Sequence, residues 1–295
     1  MTDCTRGTIF LEEGRVLQQT AFDAGQFVIR IEAPKCALHA TAGSFAHITC
    51  HETIPMRRPL SLMRAEPRAG WVEILYKVEG AGLSALSEKR SGDVLSILGP
   101  IGRGFTAHPA RPRAVLIGGG VGIPPVVFLA EHLVARKDAP WEPLAFLGSE
   151  VPFPFRTARA RASLAGIAAE VSASMPLMDD WGIACRLASR AGFAGCFNGF
   201  VTELADTWLQ SLPHEELAKT EIFACGPTPM LAATARLARR HGLACQVCLE
   251  EYMACAVGGC AGCTVLTQTP AGPAMKRVCV DGPVFDAYAV FAATD

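Results

Sequence analysis

Arg113-Ala-Val-Leu-Ile-Gly-Gly-Gly-Val-Gly-Ile-Pro-Pro-Val-Val-Phe-Leu-Ala-Glu-His-Leu-Val-Ala-Arg136 carries the architecture of this chain. A short apolar run meets a glycine turn, and apolar residues then recur at helical spacing, so the stretch reads strand, turn, helix. The alternation continues downstream. Pro143-Leu-Ala-Phe-Leu-Gly148 reads as a second buried strand, Phe200 to Leu209 as a helix, Glu221-Ile-Phe-Ala-Cys-Gly226 as a strand and Pro229 to Ala238 as a helix. Strands and helices in this order predict a parallel sheet covered on both faces. The uncharged run from Ala114 to Ala130 is broken by Gly118-Gly119-Gly120, Gly122 and Pro124-Pro125, which argues against a membrane-spanning helix.

Upstream the pattern is different. Phe27-Val-Ile-Arg-Ile-Glu32 and Trp71-Val-Glu-Ile-Leu-Tyr-Lys-Val-Glu79 alternate, with Gly25, Gly43, Pro67, Gly70 and Gly92-Asp93 closing the runs. Short strands punctuated in this way predict a small antiparallel barrel. A Gly/Pro-rich passage from Leu98 to Pro112 marks the boundary between the two regions. The expected division is therefore a β barrel over residues 1–108, an α/β domain over 109–245 and a small unit over 246–295, too short to hold a core without a metal.

The chain has 295 residues, half of them hydrophobic and 19% charged, with a formal net charge of −1. That is room for two domains and an appendage, with no field that would recruit nucleic acid or an anionic membrane. Residues 1–8 show no apolar signal segment, so a cytoplasmic location is expected.

The C-terminal unit contains Cys255-Ala-Val-Gly-Gly-Cys260-Ala-Gly-Cys263, followed by Cys279. Four intervening residues, then two, then a distant fourth cysteine is the plant-type ligand spacing of a 2Fe–2S cluster. The small residues between the thiols allow the loop to wrap an inorganic core, and glycine permits the positive φ angles such a wrap requires. Zinc and disulfides are the alternatives. Structural zinc favours paired Cys-x-x-Cys knuckles, and disulfides favour secreted chains. Cys245 and Cys248 form a second Cys-x-x-Cys just upstream and complicate the ligand assignment. The remaining cysteines, among them Cys4, Cys36, Cys50, Cys185 and Cys196, are scattered as small buried hydrophobes would be.

Gly118, Gly119, Gly120 and Gly122 leave a strand and open a helix, where backbone amides and the helix dipole can receive a pyrophosphate. A tight turn with no ligand is the plainer alternative. Cys225-Gly226-Pro227 ends a strand ahead of a helix on the same sheet edge, so a dinucleotide could span the two turns. Cys225 could contact nicotinamide or serve only in packing. In the barrel, Arg57-Arg58-Pro59-Leu60-Ser61 places a cation able to fork onto a pyrophosphate beside a hydroxyl able to reach a flavin edge. An ordinary exposed strand end would look the same.

Arg277-Val-Cys-Val-Asp-Gly-Pro-Val-Phe-Asp286, Leu249-Glu-Glu-Tyr-Met-Ala-Cys255, Arg58-Pro-Leu-Ser61, Gly118-Gly-Gly-Val-Gly-Ile-Pro-Pro125 and Cys225-Gly-Pro227 together closely resemble the electron-transfer subunit of class 1B dihydroorotate dehydrogenase. Members of that family look like ferredoxin reductases: a flavin-binding barrel, a nicotinamide-binding α/β domain and a C-terminal 2Fe–2S domain. The resemblance implies that Arg58, Pro59, Leu60 and Ser61 hold FAD, that Leu75, Tyr76 and Lys77 line it, and that Gly82 and its neighbour meet its phosphates. It implies Cys255, Cys260, Cys263 and Cys279 as cluster ligands. Where the family has threonine after that glycine, this chain has Leu83 and then Ser84, so the hydroxyl contact is lost or shifted to Ser84. Residues around Arg186 to Asn198 look inserted, with no role offered by the family.

The implied function is electron transfer from an FMN-containing dihydroorotate dehydrogenase catalytic subunit, in a heterotetramer, through the cluster and FAD to NAD⁺, in pyrimidine biosynthesis. No catalytic acid–base residue is assigned. The alternatives are an FAD/2Fe–2S reductase subunit of a related complex (ferredoxin:NADP⁺ transhydrogenase, hydrogenase or oxygenase) and a non-enzymatic metal-binding regulatory scaffold. NAD is expected in place of NADP because Glu150, at the end of the second α/β strand, can accept hydrogen bonds from ribose hydroxyls and repel a 2′-phosphate. Arg156, Arg159 and Arg161 follow closely and are the cations that could reverse this.

Overall fold

A computed structural model describes residues 7–292, so Cys4 lies outside the described residues. The N-terminal region is a closed antiparallel barrel. Its strands are β1 (Phe10–Phe22), β2 (Gln26–Glu32), β3 (Phe45–Thr49), β4 (Arg58–Glu66), β5 (Trp71–Lys77) and β6 (Val94–Ile101), in the order β1-β2-β5-β4-β3-β6. Inward-facing Val16, Ile29, Ile31, Ile48, Leu62, Ile74 and Ile97 are fully buried and fill it. Burying each such side chain contributes about 1.5–3 kcal/mol. Helix α1 (Pro34–His39) is held to the barrel by Glu12, whose carboxylate accepts the Lys35 and Cys36 amides at 2.9 and 2.8 Å. Helix α2 (Gly80–Ser87) follows β5.

The second region contains β7 (Arg113–Gly119), α3 (Ile123–Ala135), β8 (Glu142–Gly148), β9 (Ala158–Arg159), β10 (Ala173–Ser174), α4 (Pro176–Asp180), β11 (Ala184–Ala188), α5 (Val201–Gln210), α6 (His214–Leu217), β12 (Thr220–Cys225), α7 (Thr228–Arg240) and β13 (Ala244–Cys248). The C-terminal segment adds β14 (Thr264–Thr269), β15 (Gly272–Arg277), β16 (Val284–Asp286) and α8 (Ala287–Val290). The main sheet runs β11-β8-β7-β12-β13-β16, with the first five strands parallel and β16 antiparallel. The inner strands β7, β8 and β12 are buried on both faces, which explains why they read as unbroken apolar runs.

Two stretches singled out in the sequence have a definite place in the fold. Arg186–Ala188, at the start of the stretch that looks inserted, belongs to edge strand β11, in register with Phe146–Gly148 of β8. A five-residue strand with a charge at its centre carries little periodic signal. Position 245/246, expected as a domain limit, falls inside β13. The C-terminal segment then returns to the same sheet through β16, so Ala256, Cys263, Val278, Cys279 and Ala287 share one core with Leu231, Ala235 and Val247. Packing on the α/β sheet therefore supports this segment, and a metal is not its only anchor.

The regions are also locked together. Arg64 of β4 forks onto Glu131 of α3 at 2.5–3.1 Å and lies over the Trp181 ring, while Gln26 donates to the Pro152 carbonyl at 2.7 Å. The passage after β6 is pinned as well. Buried Glu221 accepts from Arg111 at 3.1 Å and Gln246 at 2.9 Å and meets His108 Nδ1 at 2.9 Å.

Candidate functional site

A cleft of about 590 Å³ opens where all three regions meet. The barrel contributes Pro59, Leu60 and Ser61 from the start of β4 and Leu75, Tyr76 and Lys77 from the end of β5. These two strands pair in the barrel, so their ends form one wall. Val121 and Thr228 come from the two glycine-containing turns of the sheet edge, and the segment from Cys248 to Met253 closes the third side. Tyr76 is anchored by its hydroxyl, which donates to Gln19 Oε1 at 2.9 Å. Glu250 is an exposed residue of the cleft, and partial desolvation there raises its carboxyl above the ordinary range.

The two adjacent arginines have separate fates. Arg57 is structural: it donates to the carbonyls of His47 and Ser96 and to Ser96 Oγ, tying β3 to β6. Arg58 turns to the other side, donates to the Met56 carbonyl at 2.6 Å and lies flat over Gly82. A Cβ built on Gly82 would sit 2.8–2.9 Å from the guanidinium, so a larger residue there would displace the cation from the first turn of α2. A cation against a helix N-terminus is an anion cradle. Leu83 lines the cleft, whereas Ser84 is exposed and is not part of the cleft wall. The apolar and hydroxyl side chains of the wall and the nearby Arg58 cation are of the kinds that can hold a flavin ring and its phosphates.

The cysteine loop draws its thiols up in two pairs. Cys263 and Cys279 are buried with sulfurs 3.3 Å apart, and Cys255 faces the more exposed Cys260. Burial alone would push the Cys255 thiol up. Backbone N–H groups of Cys260, Val257 and Gly259, with the Cys260 side chain, outweigh that and bring it to about 7. Cys279 is pushed up to about 12, first by burial and then by its contact with Cys263. Ala256, Gly258 and Ala261 have φ of 57°, 84° and 55°, which turns amides inward. The left-handed positions therefore fall on two alanines as well as a glycine. Among the described residues no group of three or more Cys, His, Asp or Glu side chains is gathered closely enough for a single ion. Four thiols, with backbone amides directed at Cys255, are the donor set that a two-iron core takes. Cys245 and Cys248 do not join them, because both are buried on the sheet, with Cys248 in contact with Cys225.

At the sheet edge, Gly118 and Gly119 end β7, and Gly120 to Gly122 form a 3₁₀ turn into α3. A Cβ on Gly122 would lie 2.4 Å from the Cys225 carbonyl group and the Gly226 nitrogen, so this glycine lets the two turns touch. Pro124 and Pro125 open α3 without amide hydrogens, and the Ile123 amide donates to the Gly120 carbonyl, which closes the turn. Cys225 is fully buried at the end of β12, and Gly226-Pro227 lead into α7. Glu150 is exposed beyond β8 and forms an ion pair of 3.4 Å with Arg190. Of the three cations near it in sequence, Arg161 is engaged with Asp180 at 2.5 Å, while Arg156 and Arg159 are exposed.

Sequence reasoning gave no role to Arg190, to Cys248 or to the wall from Leu249 to Met253. Arg190 pairs with Glu150, 40 residues away, so no local spacing marks it, and the cleft wall forms only when the C-terminal segment returns to the barrel. His47 was missed too: it is buried in β3 with neither ring nitrogen hydrogen-bonded.

Comparison with known proteins places the arrangement in context. Residues 250–291 match the iron–sulfur cluster binding domain of dihydroorotate dehydrogenase B. The chain is 34% identical over 269 residues to the dihydroorotate dehydrogenase B (NAD(+)) electron transfer subunit of Geobacillus sp. (strain WCH70), covering 90% of this chain and 89% of that one. The same subunit of Caldanaerobacter subterraneus subsp. tengcongensis is 32% identical over 244 residues, covering 82% and 84%. Among solved structures, that of an NADH-dependent reduced ferredoxin-NADP oxidoreductase superposes with a TM-score of 0.74 at 24% identity, over 95% of this chain and 90% of that one. A ferredoxin NADP⁺ reductase from Neisseria gonorrhoeae, solved with FAD and NADP, gives 0.55 at 20% identity, over 79% and 92%. The fold is thus that of the ferredoxin reductases, and with relatives this similar over nearly its full length the chain belongs to the family of dihydroorotate dehydrogenase B (NAD(+)) electron transfer subunits.

Proposed function

We propose that this chain is the electron-transfer subunit of an NAD-linked dihydroorotate dehydrogenase. It receives electrons from a catalytic subunit and delivers them to NAD⁺. The proposal includes a partner that carries FMN and oxidises dihydroorotate, assembly with it as a heterotetramer, and a cytoplasmic location. No described helix is long and apolar enough to cross a membrane. It also assigns residues 1–108 to FAD, 109–245 to NAD(H) and 246–295 to the cluster.

A single observation carries this reading. The walls of one cleft come from the flavin-type strand ends, from both turns of the nucleotide-type sheet edge, and from the segment that runs directly into the cysteine loop. On this reading the sites for a hydride carrier, a flavin and a one-electron carrier adjoin. When bound, FAD links two-electron to one-electron chemistry, and the cluster supplies the one-electron path. The chain's own residues then have distinct tasks. Arg58 and the first turn of α2 at Gly82 receive phosphate charge, and Leu83 replaces a hydroxyl contact with an apolar one. Pro59, Leu60, Ser61, Leu75, Tyr76 and Lys77 form the ring's wall. Gly118, Gly119, Gly120, Gly122, Gly226 and Pro227 bring NAD(H) to the cleft, with Cys225 buried beneath and Glu150 at the adenosine end. Cys255, Cys260, Cys263 and Cys279 ligate the cluster.

The test is direct. The purified chain should carry about two irons and one FAD, oxidise NADH with an artificial acceptor, and with its catalytic subunit reduce NAD⁺ when given dihydroorotate. Zinc in place of iron, or a preparation that binds no flavin, would overturn the reading.

A further inference from the structure

Arg190 follows β11 and Glu150 follows β8, so both stand at the carboxyl ends of neighbouring parallel strands. The strand order places β11 three steps from β12, where Cys225-Gly226-Pro227 lies. At about 4.8 Å per step this is about 14 Å, the scale of an extended dinucleotide laid across the strand ends. If nicotinamide lies by Cys225 and the pyrophosphate by Gly118–Gly122, the adenosine ribose falls beside Glu150 and Arg190.

What stands there is a clamped cation. The Arg190 guanidinium meets Glu150 Oε2 at 3.4 Å and lies over the Phe200 ring at 4.2 Å from its centroid, while the Arg190 amide faces Glu150 Oε1 at 3.5 Å. Phe200 is about half exposed and has Arg190 on its face. Arginine is the side chain best shaped to receive a ribose phosphate, and here it is satisfied by a carboxylate of the same protein. Glu150 and Arg190 are each about half exposed, so the pair is open to ligand and held only weakly.

We propose that Arg190 is a masked 2′-phosphate receptor, and that the Glu150–Arg190 pair makes this site select an adenosine ribose with a free 2′-hydroxyl. A ribose hydroxyl can donate to Glu150 and leave the pair intact. A 2′-phosphate must displace the carboxylate from Arg190 and then sit beside it as a like charge. Specificity is thereby set by one removable carboxylate, and the three arginines nearer to Glu150 in sequence are not required. The inference deepens the proposed use of NAD and rests on that reading.

The experiment uses the whole flavin-loaded chain and calorimetric titration with adenosine 5′-diphosphate and adenosine 2′,5′-diphosphate. Wild type should favour the former. Glu150→Gln should raise the affinity ratio in favour of the 2′-phosphate by at least about tenfold, as expected when an anion is freed to meet an arginine without a competing carboxylate. Adding Arg190→Ala to Glu150→Gln should erase that gain, and rising salt should reduce it. In NADH and NADPH oxidation the change should appear in KM and leave kcat nearly constant. A gain that survives loss of Arg190, or a Glu150→Gln chain with an unchanged ratio, sinks the proposal. Retained flavin absorbance in each variant shows that it is folded. Failure of wild type to oxidise either nucleotide would instead count against the electron-transfer reading itself.

Discussion

Gly82 and His47 show how much a single position can decide. At Gly82 any Cβ would press into the Arg58 guanidinium, at 2.8–2.9 Å. Gly82→Ala should therefore push Arg58 off the first turn of α2 and weaken FAD binding about tenfold, or ~1.4 kcal/mol, with folding preserved. Fluorescence titration of the flavin-free chain with FAD measures this, and unchanged affinity would remove the phosphates from this cradle. His47 is held neutral: burial first, and the charge of Arg57 second, lower its pKa from the ordinary 6.5 to about 4. The unfolded chain takes up a proton below about pH 6.5 that the folded chain refuses until about pH 4. Stability is thus fully present above that window and falls as pH drops through it, by roughly 3 kcal/mol at the lower end. His47→Leu should flatten this contribution in denaturant titrations between about pH 7.5 and pH 5, and an unaltered pH slope would show that other groups cause it. Neither residue's role could be read locally. The Arg57-Arg58 pair is visible in the sequence, but which arginine braces the barrel and which faces Gly82 depends on strand pairing across 24 or more residues.

At the scale of elements, local pattern and distant pairing separate cleanly. The inner strands β7, β8 and β12 and helices α3, α5 and α7 were legible, because a strand buried on both faces is a continuous apolar run and each helix repeats its apolar face. The cysteine loop was legible because its ligand spacing is set by the core it must wrap. Strand β16 was not: three residues, Val284–Asp286, gain their identity only by pairing with Gln246–Cys248. For the same reason the C-terminal segment looked more independent than it is. Cys260 is exposed, and the turn around it packs little against the sheet, whereas Cys263 and Cys279 are in the shared core. Cys260→Ser should accordingly bleach the cluster absorbance while leaving most of the FAD bound and thermal unfolding nearly unchanged. Loss of flavin in step with the cluster would mean that the loop itself helps build the cleft wall from Leu249 to Met253.

Across the whole molecule, rigidity and exposure are distributed unevenly. Arg64, Glu131 and Trp181 join the barrel to the α/β region, and Glu221 gathers His108, Arg111 and Gln246 at the opposite end of the sheet. The cleft thus lies in a braced junction, as electron transfer between fixed sites requires. At its outer wall the surface changes character: Tyr252, which lines the cleft, is 95% exposed, and Val257 and Cys260 nearby in the chain are exposed too. An aromatic and an aliphatic side chain left in solvent beside a thiol-rich loop form a surface suited to a protein partner. The proposed catalytic subunit should cover it, since an electron donor must come close to the loop from Cys255 to Cys263. Hydrogen–deuterium exchange should then show protection over residues 252–262 in the complex relative to the isolated chain, with little change in the barrel's outer strands. Tyr252→Ala should weaken the complex while iron content is kept. Protection elsewhere with none on this segment would move the interface away from the cluster, and favour a freely diffusing one-electron carrier as the partner.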